Sequence, residues 1–260
     1  MHIRPLSAVA LLALIATPAL AQEQQEPRRY RVGLGAQVTP SYPGADDVRF
    51  GPFINVDIAR GDTPFQFEAM DESFAIPVVN VEGVAFGPAA SIQGSRRKSD
   101  VGVPIGKVKT TFEAGGFVQA FVAPNFRLRA ELRRGIGGHD GFIGEVSADL
   151  IARDGDRYVF SIGPRVTLTN ARYQRAYFGV TGAQAAATGL PVYRPEGGLQ
   201  SVGGTAGLSY QFSRTWGAMA YVRYDRLVDD AADSPIVRGF GSRDQFSGGL
   251  GLTYTWGGGR

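Results

Sequence analysis

Cysteine is absent from this sequence of 260 residues, which excludes a disulfide scaffold, a thiolate metal site and a cysteine nucleophile together. Histidine occurs only at His2 and His139, too few to supply the usual nitrogen ligands of a zinc site. No run approaches the roughly 18 apolar residues of a transmembrane helix. Basic runs are also missing: the longest is Arg96-Arg97-Lys98 and the formal charge is +3, so nothing indicates nucleic-acid binding. With 20% charged and 43% hydrophobic residues, neither intrinsic disorder nor a bundle of membrane helices fits. What is plentiful is Gly (36), Phe (16) and Tyr (10). The glycines follow no G-X-Y period, so collagen is excluded and a chain of many strands is indicated.

The first residues read as a secretory signal. Arg4 gives the charged start, Ala8 to Ala16 the apolar stretch, and Ala19-Leu20-Ala21 an A-x-A cleavage site. Cleavage after Ala21 predicts a mature chain with a short periplasmic segment at 22–29, followed by one domain from 30 to 260.

From residue 30 onward the hydrophobic period is two. In 126–136, Phe126, Leu128, Ala130, Leu132 and Ile136 share one face, while Arg127, Arg129, Glu131 and Arg133 share the other. Segments 30–39, 48–58, 84–93, 112–122, 142–153, 158–169, 202–212, 216–225 and 246–256 behave alike, as does a shorter pair at 65–69 and 73–79. A helix at 3.6 residues per turn would mix these faces, so all twelve are expected to be strands. Short connectors at 59–63, 80–83, 123–125, 153–157 and 213–215 alternate with longer ones at 40–47, 94–111, 137–141, 171–198 and 228–243. A tight turn at Asp71-Glu72 is the brief exception on the long side. An even strand count with short turns at one end and long loops at the other is the pattern of an antiparallel transmembrane β-barrel.

Alternation alone does not say which face is inside, because a soluble barrel buries its apolar face. Aromatic residues on the apolar face gather at strand ends. Tyr30, Phe126, Tyr158, Phe212, Trp216, Tyr254 and Trp256 lie at the short-turn end, and Phe50, Phe112, Phe142, Tyr224 and Phe246 at the other. Two such girdles suit two bilayer interfaces and put the apolar face toward lipid. Pro52, Pro88 and Pro164 lie within strands, where each removes a ladder donor, so bulges are expected there.

One run is diagnostic. Tyr177-Phe178-Gly179-Val180, followed by Gly189-Leu190-Pro191-Val192-Tyr193, resembles the hallmark of the MipA/OmpV family of outer-membrane proteins. Gly33-Leu34-Gly35, Pro40, Tyr42, Gly44, Gly138-His139 and the run Ala232 to Val237 extend the resemblance to most of the chain. Barrels of this kind usually end on an aromatic residue, whereas Gly257 to Arg260 follow Trp256 here. The resemblance implies an outer-membrane barrel without known catalysis, and the chain is expected to be a monomer in outer-membrane lipid, non-enzymatic and without cofactor or metal. The resemblance further implies a scaffold whose partners are periplasmic murein enzymes, a lytic transglycosylase and a penicillin-binding protein. The alternatives are a narrow gated channel for small solutes and a rim hydrolase using His139.

His139, in Gly137-Gly138-His139-Asp140-Gly141, has a residue type suited to general-base work, but a neighbour in sequence does not orient it as a base must be oriented. A turn in which glycine supplies positive φ explains the run equally well. Thr181-Gly182-Ala183-Gln184 is a capping-box pattern that predicts a short helix stopping at Gly189. A loop this long tends to be functional, and a plug over the barrel mouth is one reading. Gly33-Leu34-Gly35 and Gly203-Gly204 lie mid-strand with no helix after them, so they are not phosphate loops.

Charges on the polar face predict a lumen network. If the connector at 137–141 sets Arg133 opposite Glu145 and Arg129 opposite Asp149, and the next turn sets Glu145 opposite Arg165, a ladder of these five residues crosses three strands.

Overall fold

The computed structural model describes residues 26–258. The expected signal segment, including Ala19 and Ala21, and residues 22–25 of the expected segment 22–29 lie outside them, as do the last two residues.

Twelve antiparallel strands curl into a barrel: β1 (Arg28–Pro40), β2 (Val48–Arg60), β3 (Phe74–Ala75), β4 (Val79–Val81), β5 (Val84–Gln93), β6 (Thr111–Ala123), β7 (Phe126–Ile136), β8 (Phe142–Asp154), β9 (Tyr158–Thr169), β10 (Gly198–Gln211), β11 (Trp216–Leu227) and β12 (Asp244–Gly257). Neighbours in sequence pair from β5 through β12, and β12 returns to β1. The apolar face points outward. Leu128, Leu132 and Ile136 are 43%, 57% and 58% exposed, while Arg127, Arg129 and Glu131 between them are 0%, 5% and 7%. In water such an arrangement would be unstable; facing hydrocarbon it is the one that burial favours. The girdles also form, with Tyr30 stacked on Trp256 at 5.7 Å, Trp216 edge-on to Tyr254 at 4.9 Å, and Tyr224 beside Phe246 at 5.0 Å.

One expected strand is not a strand. Residues 65–69 are extended but pair with no neighbour. The chain leaves β2 at the short-turn end, re-enters the barrel and climbs inside it. Phe65, Phe67 and Ala69 are buried there. The period of two is real, but it reports an extended chain between two environments rather than a ladder. Asp71-Glu72 therefore turn inside the lumen, not at its rim. The chain then descends in the wall as β3 and β4, one position split at Pro77, with Ile76 N–H to Pro88 O and Val78 N–H to Phe86 O (both 3.1 Å) bridging the break. Twelve strands thus fill eleven wall positions, and the inner segment supplies the missing upward pass.

The prolines do not create bulges. Register is unbroken at Pro52 and Pro88, and it is the same on both sides of Pro164; the irregularities fall at Phe121/Ala123 and Leu199/Ser201. Pro52 lies on β2, an edge strand, where a missing donor costs little. At Pro164 the orphaned acceptor is Ala148 O, and the Arg165 guanidinium donates to it at 3.2 Å. Gly163 permits this approach, since a Cβ there would lie 1.7 Å from Ala148 O.

The long loops fold together into a cap. It contains α1 (Ala171–Phe178), α2 (Gly182–Thr188), α3 (Asp229–Asp233) and α4 (Pro235–Phe240). The expected helix is α2: both capping-box bonds of Thr181 and Gln184 are made, and Gly189 closes it at φ +75°. The other three helices carry weaker signals; α1 is capped by Asn170, whose side chain accepts from Tyr173 N–H.

With short turns periplasmic, a maleimide that cannot cross membranes should label Ala186→Cys on intact cells and spare Arg157→Cys. The chain's lack of cysteine makes each label unique. Labelling of Arg157→Cys alone would invert the topology.

Candidate functional site: the ionic lumen and its cap

Charges on the wall point inward, and the lumen has to pair them. It does so through one continuous ionic network. Starting in the cap, His139 Nε2 meets Glu113 Oε1 at 3.0 Å, and Glu113 Oε2 meets Arg133 Nε at 2.9 Å. Arg133 and Arg129 both contact Glu131. Arg129 and Arg127 converge on Glu72 of the inner segment. Arg127 then pairs with Asp149 at 2.6 Å, Asp149 with Arg165 at 2.8 Å, and Arg165 holds Asp71 through two nitrogens at 2.8 and 3.0 Å. Across the lumen Arg223 meets Asp71 at 3.0 Å, Glu145 at 2.9 Å and Asp225 at 2.6 Å.

All five residues expected in the lumen are there, but their pairing differs. Arg129 faces Ser147, Arg127 faces Asp149 and Glu145 faces Thr167. Both registers are slipped by two residues from the expected ones. A slip of two keeps every charge inward, so lipid cannot select against it. The slip puts Glu131 opposite Glu145. That like-charged pair is tolerated because Arg129 and Arg133 hold Glu131 while Arg223 holds Glu145. Arg127, Glu113, Glu131 and Arg223 carried a usable signal as polar-face charges. Asp71 and Glu72 did not, because a turn at the rim and a turn in the lumen look alike in sequence.

Below the turn, aromatic and cationic groups fill the barrel. Phe65 lies under Arg29 and Arg31, 4.8 and 4.4 Å from its ring centre, and Arg127 sits 4.6 Å over Phe67. Asp156 accepts from Phe65 N–H at 2.9 Å. The remaining space there is about 30 Å³, room for one or two waters. Gly33 helps, as the Met219 side chain occupies the place of its absent Cβ.

Above the turn, the family-type residues form the hydrophobic core of the cap. Tyr177, Phe178 and Val180 are buried with Tyr42, Tyr173, Ile236 and Val237, and Leu190 packs against them. Gly189, Pro191 and Val192 are exposed, and Tyr193 binds Asp230 O through its hydroxyl at 2.8 Å. Arg96 clamps the end of α1 by donating to Tyr177 O and Ala176 O, at 2.5 and 3.1 Å. Burial pushes the Tyr42 and Tyr193 hydroxyls up to about 12, so both stay neutral donors.

His139 is buried in this cap. Its Nδ1 accepts from Gly141 N–H at 3.1 Å, its Nε2 faces Glu113, and Tyr173 stacks edge-on at 4.6 Å. Asp140 turns away and accepts from Gly137 N–H. The pair does not assemble as base and orienter; both ring nitrogens are occupied. No cluster of metal-ligating side chains occurs among the described residues.

Removing the shared carboxylate of Asp149 should expose the network's dependence on pairing. Asp149→Ala leaves Arg127 and Arg165 each short of a partner, and breaking a buried pair typically costs ~3–5 kcal/mol. The urea midpoint of the refolded protein in detergent should fall accordingly. A fall no larger than that of Arg157→Ala, at an exposed turn, would mean the lumen is wet enough to screen the charges.

No curated protein matches the chain by sequence. Among solved structures, it is similar to the NanC porin (9% identity, covering 87% of this chain and 98% of that one, TM-score 0.40). It is also similar to the KdgM porin (10%, 88% and 99%, TM-score 0.37) and to the N-terminal β-barrel domain of Pseudomonas aeruginosa OprF (13%, 66% and 96%, TM-score 0.29). The family profile of MltA-interacting protein MipA matches residues 32–256. The outward apolar face, the two girdles and this match over nearly the whole barrel make the chain an outer-membrane β-barrel protein that belongs to the MipA family.

Proposed function

We propose that this protein is a non-enzymatic, monomeric anchor in the outer membrane that holds a murein-remodelling enzyme, of the lytic transglycosylase or penicillin-binding type, at its periplasmic turns. The observation that carries this reading is the occluded lumen. The inner segment fills the barrel below its midpoint, and the cap closes the far end, so the molecule is built as a rigid post rather than an open conduit. The description of the family as MltA-interacting supports a periplasmic enzyme as partner. The surface left for it is the set of short turns, which carry exposed Arg157 and Arg214.

Purified protein in nanodiscs should retain a lytic transglycosylase or a penicillin-binding protein from a panel of periplasmic murein enzymes. Arg157→Glu combined with Arg214→Glu should abolish the capture. Equal retention by an unrelated outer-membrane barrel would overturn the reading.

Occlusion has its own consequence. The loop 171–198, for which a plug over the barrel mouth is one reading of the sequence, is part of the cap there, while the lumen below is filled by residues 65–73. Planar-bilayer recordings of the intact protein should show little conductance. Deletion of 174–196 should not open a pore, whereas Asp71→Ala with Glu72→Ala, which unties the inner segment from four arginines, should. Large steady channels in the intact protein would contradict the closed lumen.

A further inference from the structure

The wall does not close by hydrogen bonds. Its strand order begins at β2 and ends at β3, with β4 beside β5, and β2 pairs only with β1 among the described residues. Between β2 and the β3–β4–β5 edge there is a seam. Near its top Arg49 donates to Ser95 O at 2.9 Å.

Behind the seam lies a chamber of about 560 Å³, floored by Met70 to Ser73 and roofed by Tyr42 and Tyr173. That volume is in the range of small-molecule sites. Its lining includes Ile54 of β2 and Ile92 of β5, which are 61% and 72% exposed on the lipid-facing side. The chamber therefore runs from the polar lumen to the hydrocarbon, while the cap lies over it and the inner segment under it.

Its chemistry is uneven. Arg49 is the one guanidinium in the lining with no ion pair among the described residues, and it stands at the seam. Deeper in, Asp71 is held by Arg165 as well as Arg223, whereas Glu145 and Asp225 have Arg223 alone to share, which leaves negative charge in surplus there. Tyr42 and Gln200 line the chamber from above, but the Tyr42 hydroxyl and Gln200 Oε1 are themselves buried away from it.

We infer that the seam between β2 and β5 admits a membrane-dissolved amphiphile with a zwitterionic head group, its anionic part at Arg49, its ammonium toward Glu145 and Asp225, and its tail remaining in lipid along Ile54 and Ile92. This site is independent of any periplasmic partner, because it lies on the opposite side of the inner segment from the short turns.

Two measurements on the full chain test it, with folding verified by heat-modifiable gel migration. Single cysteines at Ser91 (chamber), Ile92 (lipid face) and Ser209 (lower lumen) are exposed in proteoliposomes to a lipid-tailed maleimide and to a water-soluble one. Lateral access predicts that the lipid-tailed reagent labels Ile92→Cys and Ser91→Cys but not Ser209→Cys, and that the soluble reagent labels Ser91→Cys at least tenfold more slowly. Ser91→Cys left unlabelled, or labelled equally by both reagents, overturns lateral access. Native mass spectrometry then compares amphiphiles of one tail bearing phosphoethanolamine, phosphate or trimethylammonium heads. The phosphoethanolamine form should be retained about tenfold more than either other. Arg49→Ala should erase its advantage over the trimethylammonium form, and Arg49→Lys should preserve part of it. No preference among heads, or displacement by inorganic phosphate alone, would refute the assigned site.

Discussion

The turn at Asp71-Glu72 meets four wall arginines inside the barrel, and most of the architecture follows from that contact. Guanidinium groups of Arg127, Arg129, Arg165 and Arg223 project inward because the wall alternates and lipid takes the other face. Left alone, each would carry a desolvation penalty of several kcal/mol. The inner segment brings two carboxylates to them at mid-height, and Asp149, Glu131 and Glu145 complete the set. Satisfied in this way, the charges fix the height of the turn and the stagger of β7, β8, β9 and β11 together. A half-satisfied network would be worse than an apolar filling.

The same contact accounts for the open wall. Residues that would have formed an upward strand beside β2 are spent on filling the lumen, and the short segment that follows is cut by Pro77 into β3 and β4. The sheet consequently has two edges, with Pro52 on one of them. A barrel closed all round hides its backbone from lipid. Here the seam adjoins a polar chamber, and non-ladder backbone is tolerated at membrane depth where it lines such a cavity. Filling below and access at the side are two results of one diversion of the chain.

At the other end, segments far apart in sequence meet in one small core. Tyr42, His139, Tyr177, Phe178, Ile236 and Val237 come from four different loops. Ser234 Oγ donates to Phe178 O at 2.7 Å, and Gly44, at φ +93°, fits beneath Val237 and Phe178. The residues that make the family recognisable are thus chiefly packing residues of the cap. His139 belongs with them, held between Glu113 and Tyr173.

The ten long strands, the inward charges, the girdles and α2 were all legible in the sequence, because each is written in local periodicity or local capping and the bilayer enforces which face is which. Strand register was not. A shift of two residues preserves the faces, and only the combined demands of Asp71, Glu72 and the wall arginines choose between such shifts. Nor could alternation at 65–69 separate a wall strand from a chain threaded through the lumen, since both are extended and both present two environments. Which carboxylate meets which arginine, where the wall stays open, and what the loop motifs pack against were decided in three dimensions, by groups that lie up to 201 residues apart in the chain.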